Sequence, residues 1–297
     1  MIKINKNTCI GWIGTGVMGF SMCQHFLTAG YSVAVFNRTQ SKATKLIEQG
    51  ALWCDSPQQI ASRCDVIFTI LGYPADVEQV YFSETGLFAG LKSNKIVVDM
   101  TTTKPMLAEK INHHAEKIGA FAIDAPVSGG DIGAKNVALS IMAGGEKAVF
   151  DVLKPLFEIL GNKIIYHGLA GKGQHAKMCN QILVAGNMIG ACECLLYGFK
   201  AGLNPDALIE SVSSGAAASW SITHLGPRIV KRDFEPGFYV EHFIKDMSIA
   251  LHEAQAMNLA LPGLALVQQL YIALKAQGHG EKGTQALMLA LEHLSKA

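Results

Sequence analysis

Short apolar runs alternate with amphipathic stretches over residues 1–168, the pattern of repeated strand–helix units packed as a parallel sheet. The runs Cys9–Ile13, Ser32–Phe36, Asp65–Leu71, Ile96–Met100 and Ala120–Asp124 are mostly apolar and bounded by Gly, Asp, Asn or Pro. Each reads as a strand covered on both faces. Helical patterns fill most of the gaps. Past Gly168 the period changes. From Gln174 to Ala201 about 28 residues run without proline, and Met178, Ile182, Ala185, Ile189 and Cys192 recur at spacings of three and four. This predicts one long helix, roughly 40 Å at ~1.5 Å per residue, which links two domains or carries a subunit interface. Asn204–Ala297 keeps a helical period and shows no convincing strand. The expected architecture is an α/β domain over 1–168 and an all-α domain over 169–297, joined by the long interdomain helix.

Composition agrees with a folded, two-domain chain. Of 297 residues, 49% are hydrophobic and 16% charged, against roughly 25% charged in an average soluble domain, which excludes a disordered polyelectrolyte. Lys and Arg total 25 and Asp and Glu 24, so the net charge of +1 gives no basis for nucleic acid or an acidic membrane as partner. Any anion is bound locally. Seven cysteines with no regular spacing, in a chain too long to need disulfide staples, imply a reducing, cytoplasmic setting. Met1–Thr8 lacks an apolar stretch with a cleavage site, and no window holds 18 uninterrupted apolar residues, so neither secretion nor membrane spanning is expected.

The first chemical motif is Gly14-Thr15-Gly16-Val17-Met18-Gly19, between the run ending at Ile13 and a helical pattern reaching Ala29. A strand before, a helix after and a second strand ending at Phe36 complete a Rossmann-type dinucleotide-binding unit. Glycines let the backbone turn tightly and approach a pyrophosphate, whose charge meets free N–H groups and the positive end of the helix dipole. After the second strand, where an NAD site would place Asp or Glu, stand Asn37, Arg38 and Thr39. A carboxylate there would repel a 2′-phosphate, whereas Arg38 can pair with it, so NADP is the expected cofactor, with NADPH preferred over NADH. Arg38 as a solvated charge, or stacked on adenine, is the competing reading.

Asp124-Ala125-Pro126-Val127-Ser128-Gly129-Gly130 lies at the carboxyl end of a strand, the edge where open parallel sheets bind ligands. The donors of Ser128, Gly129 and Gly130 suit a carboxylate, although alone they also fit a structural turn. On the long helix Lys177, Asn180 and Gln181 stand at i, i+3 and i+4, placing an ammonium and two amides on one face. The histidines form no ligand pattern, Cys192 and Cys194 point to different helix faces, and no metal site is expected. Ser213–Trp220 interrupts the helical part, either to shape a pocket or as a packed loop with Trp220 in the core.

Taken together, these segments resemble the β-hydroxyacid dehydrogenases, and the likeness runs over nearly the whole chain. Four ordered segments carry the likeness: Gly11–Gly19, Asp124–Gly130, Gly171–Asn180 with Lys177, and Phe238 followed by Lys245-Asp246. The resemblance implies a catalytic lysine at Lys177, a carboxylate held by Ser128, Gly129 and Gly130, and Lys245 over the cofactor near the nicotinamide. It also implies Thr102 beside nicotinamide and substrate, and a cofactor loop at Leu71-Gly72, where relatives more often read Leu-Pro. Many relatives carry Asn four residues after the lysine. Here that place is Gln181, with Asn180 one residue earlier, and either amide can face the substrate.

The reading is an NADPH-dependent reductase of a small carboxylate-bearing semialdehyde, such as glyoxylate or succinic semialdehyde, running reversibly with a lysine general acid/base. The alternatives are an NAD-dependent 3-hydroxyisobutyrate-type dehydrogenase and, more distantly, a non-catalytic dinucleotide-binding module. The expected partners are the small anionic substrate and a second copy of the chain in a homodimer or homotetramer.

Overall fold

The computed structural model describes residues 4–296. Met1–Lys3 and Ala297 lie outside the described residues, and with them the start of the segment read above for a leader. The chain divides into two compact units, Met1–Lys177 and Met178–Ala297.

The first unit holds strands β1 (Cys9–Ile13), β2 (Ser32–Phe36), β3 (Leu52–Trp53), β4 (Val66–Thr69), β5 (Ile96–Asp99), β6 (Phe121–Asp124), β7 (Val127–Ser128), β8 (Leu139–Gly145) and β9 (Gly161–Gly168). Between them run α1 (Val17–Thr28), α2 (Thr44–Glu48), α3 (Pro57–Arg63), α4 (Pro74–Phe82), α5 (Leu87–Gly90), α6 (Pro105–Lys117), α7 (Gly130–Lys135) and α8 (Lys147–Phe157). The sheet order is β3-β2-β1-β4-β5-β6-β8-β7, with β9 on β8. From β3 to β6 every pairing is parallel, and β8 then joins β6 antiparallel. From β1 the chain builds outward through β2 and β3, then returns to place β4 on the other flank of β1. The crevice between β1 and β4 is thus the switch point at which doubly wound sheets bind ligands.

Five strands coincide with runs identified from the pattern. The sequence reading missed β3 and β7, which have two residues each, and β8 and β9, whose glycine and polar positions break the apolar run. Under the sheet Trp12 stacks on Phe68 at 5.7 Å, and Phe26 lies 5.1 Å from Phe68. Each is fully buried, and aromatic side chains of this size dominate core energetics. The Trp12 indole N–H donates to the Gly14 carbonyl at 2.9 Å, so the core itself fixes the start of the glycine turn.

A 29-residue helix, α9 (Lys172–Lys200), begins in the first unit and continues into the second. The second unit adds α10 (Pro205–Ser213), α11 (Gly226–Val230), α12 (Val240–Ala256), α13 (Pro262–Leu274) and α14 (Leu287–Ser295), and no strand occurs there among the described residues. Asn204 caps α10 by accepting from Ala207 N at 2.9 Å, and Pro205 occupies the first helical position, where its missing N–H has no partner to lose. The core forms around Met188, Phe243, Met247, Tyr271, Leu274 and Leu287. Tyr271, fully buried, donates its hydroxyl to Thr284 O at 2.7 Å.

Candidate functional site

The glycine turn joins β1 to α1. Gly14 has φ +101°, and a Cβ there would lie 2.1 Å from the Ile70 carbonyl, so only glycine permits this path beside the end of β4. At Gly16 a Cβ would meet nothing within 4 Å. The turn is therefore open where a pyrophosphate would approach, and a side chain at that position would fill the cradle. Thr15 Oγ1 is buried without a hydrogen-bond partner among the described residues, a polar atom suited to a ligand oxygen. The turn fits a dinucleotide.

Asn37, after β2, is engaged through both ends of its amide. Its Oδ1 accepts from Thr15 N at 3.0 Å, and its Nδ2 donates to Thr39 O at 2.9 Å. The residue replacing the usual acid thus ties the glycine turn to the loop that presents Arg38. The Arg38 side chain is 86% exposed and its guanidinium lies 3.3 Å from the Asp76 carboxylate on α4.

The carboxyl ends of β5 and β6 carry a buried polar network. Asp124 Oδ1 accepts from Gly171 N and its Oδ2 from Gln174 N, each at 2.8 Å, so one carboxylate caps the first turn of α9, where the helix dipole favours negative charge. Burial pushes its pKa up, and these N–H groups act against that rise. Gln174 Oε1 accepts from Thr103 N at 3.0 Å while Nε2 donates to Thr101 O at 2.7 Å, bracketing Thr102. Thr101 Oγ1 accepts from Leu71 N at 2.9 Å and so fixes the β4 loop. Asp99 Oδ1 accepts from Thr69 Oγ1 at 2.8 Å and Thr101 N at 3.1 Å, and burial raises its pKa to about 6. Lys177, one turn beyond Gln174, is 6% exposed.

Ser128 ends β7, and Gly129, at φ +131°, turns the chain into α7, which Gly130 opens. Ser128 and Gly130 are half-buried and Gly129 exposed, so the turn is open to solvent. Sequence reasoning missed Gln174, Thr101 and Asp99. The signal was present as a carboxylate ending each of two adjacent apolar runs, Asp99 and Asp124, since a buried acid needs built-in partners.

In the second unit, Gln181 is 2% exposed and its amide is used in both directions. Nε2 donates to Asp246 Oδ2 at 2.6 Å, and Oε1 accepts from Asn180 Nδ2 at 2.8 Å. The other Asp246 oxygen pairs with Lys245 Nζ at 3.0 Å. Asn180 stays half-buried. Trp220 is 56% exposed and stacked on His224 at 4.7 Å, which overturns the reading that placed it in the core. Ala217 and Ser219 of its loop line a cavity of about 220 Å³ with Gly186 and Gly190 of α9.

A doubly wound sheet with an open glycine turn at its switch point, followed by a helical unit, defines a nicotinamide-dinucleotide-dependent oxidoreductase. Residues 9–168 match the family described as the NAD binding domain of 6-phosphogluconate dehydrogenase. Residues 171–291 match that described as NAD-binding of NADP-dependent 3-hydroxyisobutyrate dehydrogenase. An Arabidopsis thaliana protein named probable 3-hydroxyisobutyrate dehydrogenase-like 1, mitochondrial, is 56% identical over 291 residues, covering 98% of this chain and 87% of the relative. The Escherichia coli 2-hydroxy-3-oxopropionate reductase is 37% identical over 283 residues, 95% of this chain and 97% of the relative. The Mycobacterium tuberculosis 3-hydroxyisobutyrate dehydrogenase structure with L-serine superposes with a TM-score of 0.87 at 27% identity, covering 96% and 99% of the two chains. The chain belongs to the β-hydroxyacid dehydrogenase family, NAD(P)-dependent oxidoreductases acting on CH–OH groups.

Proposed function

We propose that the protein reduces a small carboxylate-bearing semialdehyde, such as glyoxylate or succinic semialdehyde, to the hydroxyacid, reversibly and with NADPH preferred over NADH. The observation that carries this reading is the pinned start of α9. Asp124 and Gln174 hold the first turn of the helix that bears the buried Lys177, and the same Gln174 brackets Thr102. This supports a site at the carboxyl edge of the sheet in which Lys177 and Thr102 belong to one anchored frame.

When bound, the dinucleotide would supply the hydride; Gly14–Gly19 would hold its pyrophosphate, Asn37, Arg38 and Thr39 its adenosine end, and Leu71, Gly72, Thr102 and Lys245 its nicotinamide end. Lys177 stabilises the negative charge that develops on the carbonyl oxygen and delivers the proton, together about a 10²- to 10⁴-fold effect. Ser128 and the N–H groups of Gly129 and Gly130 hold the carboxylate and fix the distance from anion to carbonyl. Of the two helix amides, Asn180 meets the substrate. Gln181 is buried and bonded to Asp246 and Asn180, and acts by holding Asn180 in place.

A second reading, an NAD-dependent 3-hydroxyisobutyrate-type dehydrogenase working toward oxidation, draws support from Asp76. Its carboxylate already engages Arg38 and competes with a 2′-phosphate. Both readings are tested by a panel of aldehydes and hydroxyacids assayed with NADPH and NADH. The proposal expects its highest kcat/KM for a semialdehyde with NADPH, and a best pair of 3-hydroxyisobutyrate with NAD would favour the alternative.

A further inference from the structure

Two of the thiols meet although they are distant in sequence. Cys9, the first residue of β1, and Cys64, which caps the end of α3, place their Sγ atoms 3.3 Å apart. Cys9 is half-buried and Cys64 fully buried. The pair lies at the amino-terminal edge of the strands, whereas the glycine turn and the Asp124 network occupy the carboxyl edge. Cys9 N donates to Asp65 Oδ2 at 2.9 Å, so the backbone of β1 is tied to the residue next to Cys64. Lys95 lies alongside, its ammonium donating to Ala61 O at 2.6 Å and Ser62 O at 2.9 Å. Among the described residues no group of three or more His, Cys, Asp or Glu side chains is placed to hold a metal ion.

We propose that Cys9 and Cys64 form a peroxide-reactive dithiol, a covalent modification site in which Cys9 is the attacking sulfur and Cys64 the resolving one. Of the two residues Cys9 is the more accessible. The hydrogen bond from Cys64 stabilises its thiolate and brings its pKa down to about 7, with Lys95 adding to the effect and burial and Asp65 opposing it. Cys64 holds its proton far more tightly, because its hydrogen bond to Cys9, and then burial, disfavour its thiolate.

The oxidant is hydrogen peroxide. The Cys9 thiolate attacks one peroxide oxygen, the O–O bond breaks, and Cys9 becomes a sulfenic acid as hydroxide departs and takes up a proton. The Cys64 sulfur then attacks the Cys9 sulfur. An S–S bond forms, the S–O bond breaks, and the Cys64 proton leaves with the hydroxyl as water. One peroxide is reduced to two waters for each dithiol oxidised to disulfide. The sulfurs need to close from 3.3 Å to about 2.05 Å.

The test uses the wild-type chain. Reduced protein is treated with a few equivalents of hydrogen peroxide, free thiols are blocked, and tryptic peptides are mapped without reductant. The expected product joins the peptide 7–38 to the peptide 64–92 through Cys9 and Cys64, with two hydrogens lost and full reversal by dithiothreitol. In Cys64→Ser, Cys9 is expected to stop at a sulfenic acid that dimedone traps. In Cys9→Ser, Cys64 is expected to remain a blockable thiol after the same treatment. Recovery of Cys9 as a blocked thiol from oxidised wild-type protein, or its linkage to Cys23 or Cys54 instead, would overturn the proposal.

Discussion

Asp124, at the end of β6, accepts the backbone N–H of Gln174 at 2.8 Å and so anchors the helix that carries Lys177 to the carboxyl edge of the sheet. Helix starts leave unsatisfied N–H groups, and here a carboxylate from a strand supplies the cap that a local side chain usually gives. The anchoring makes the position of an ammonium depend on the sheet.

Removing Gln174 tests that dependence. Gln174→Ala leaves Thr103 N and Thr101 O buried without the partner each now has, and should lower stability by about 2 kcal/mol. Measured well below the new melting temperature, kcat should fall more than tenfold while the dissociation constant for NADPH changes little. Loss of stability with an unchanged kcat would leave Gln174 a purely structural residue.

Cofactor choice should favour NADPH at least about tenfold in kcat/KM, the ratio ~1.4 kcal/mol from one charge-assisted pair provides. Asn37→Asp should erode the preference. The new carboxylate can still accept Thr15 N but cannot donate to Thr39 O, and it brings negative charge toward a 2′-phosphate. Asp76→Asn should move the ratio the other way by freeing Arg38. Equal or better use of NADH by the unaltered protein would contradict the assignment.

Asp99 sets a pH dependence of stability. Its folded pKa, about 6, stands above the ordinary carboxyl value, so the folded state binds the proton more tightly than the unfolded chain does. Stability from this group is fully present below about pH 4 and is lost as pH rises through 6. The loss is of order 1–3 kcal/mol. Chemical denaturation at pH 4.5 and 7.5 should therefore show Asp99→Asn gaining on the wild type as pH rises. A difference independent of pH would place the Asp99 proton elsewhere.

Assembly follows from the large apolar side chains that α9 exposes, where Leu183 is 67%, Tyr197 77% and Phe199 69% exposed. The helix is long and apolar enough by length and composition to cross a membrane, with a mean hydropathy of 1.6 over its most apolar window. Lys177, Asn180, Gln181, Asn187 and Glu193 interrupt it with polar groups, so a second copy of the chain is the expected cover. Light scattering in detergent-free buffer should return a dimer or tetramer of the 31.8 kDa chain, and a monomer at micromolar concentration would refute this.

The parallel half of the sheet was legible because its strands are buried on both faces and therefore nearly continuous in apolar residues, as in Val66–Thr69 and Ile96–Asp99. The outer strands β8 and β9 were not. In β9 exposed Asn162, Lys163 and Ile165 alternate with partly covered residues, a pattern that long-range pairing with β8 decides rather than local preference. The glycine turn and the Lys177 helix were readable as spacing. The bonds that hold them were not, since Asp124 and Gln174 are 50 residues apart and only the fold brings them together. The bond that engages Gln181 likewise joins it to Asp246, 65 residues further along the chain.

In the proposed mechanism Lys177 supplies the proton while the dinucleotide is held elsewhere, and Lys177→Ala tests this most directly. On the best aldehyde of the panel, kcat should fall by roughly 10² or more, while NADPH binding, measured by fluorescence titration, stays near the wild-type value. Lys177→Arg should fail as well, because a guanidinium with a pKa above about 12 keeps its proton and cannot take the point position of an ammonium. Near-normal turnover by Lys177→Ala would contradict the mechanism.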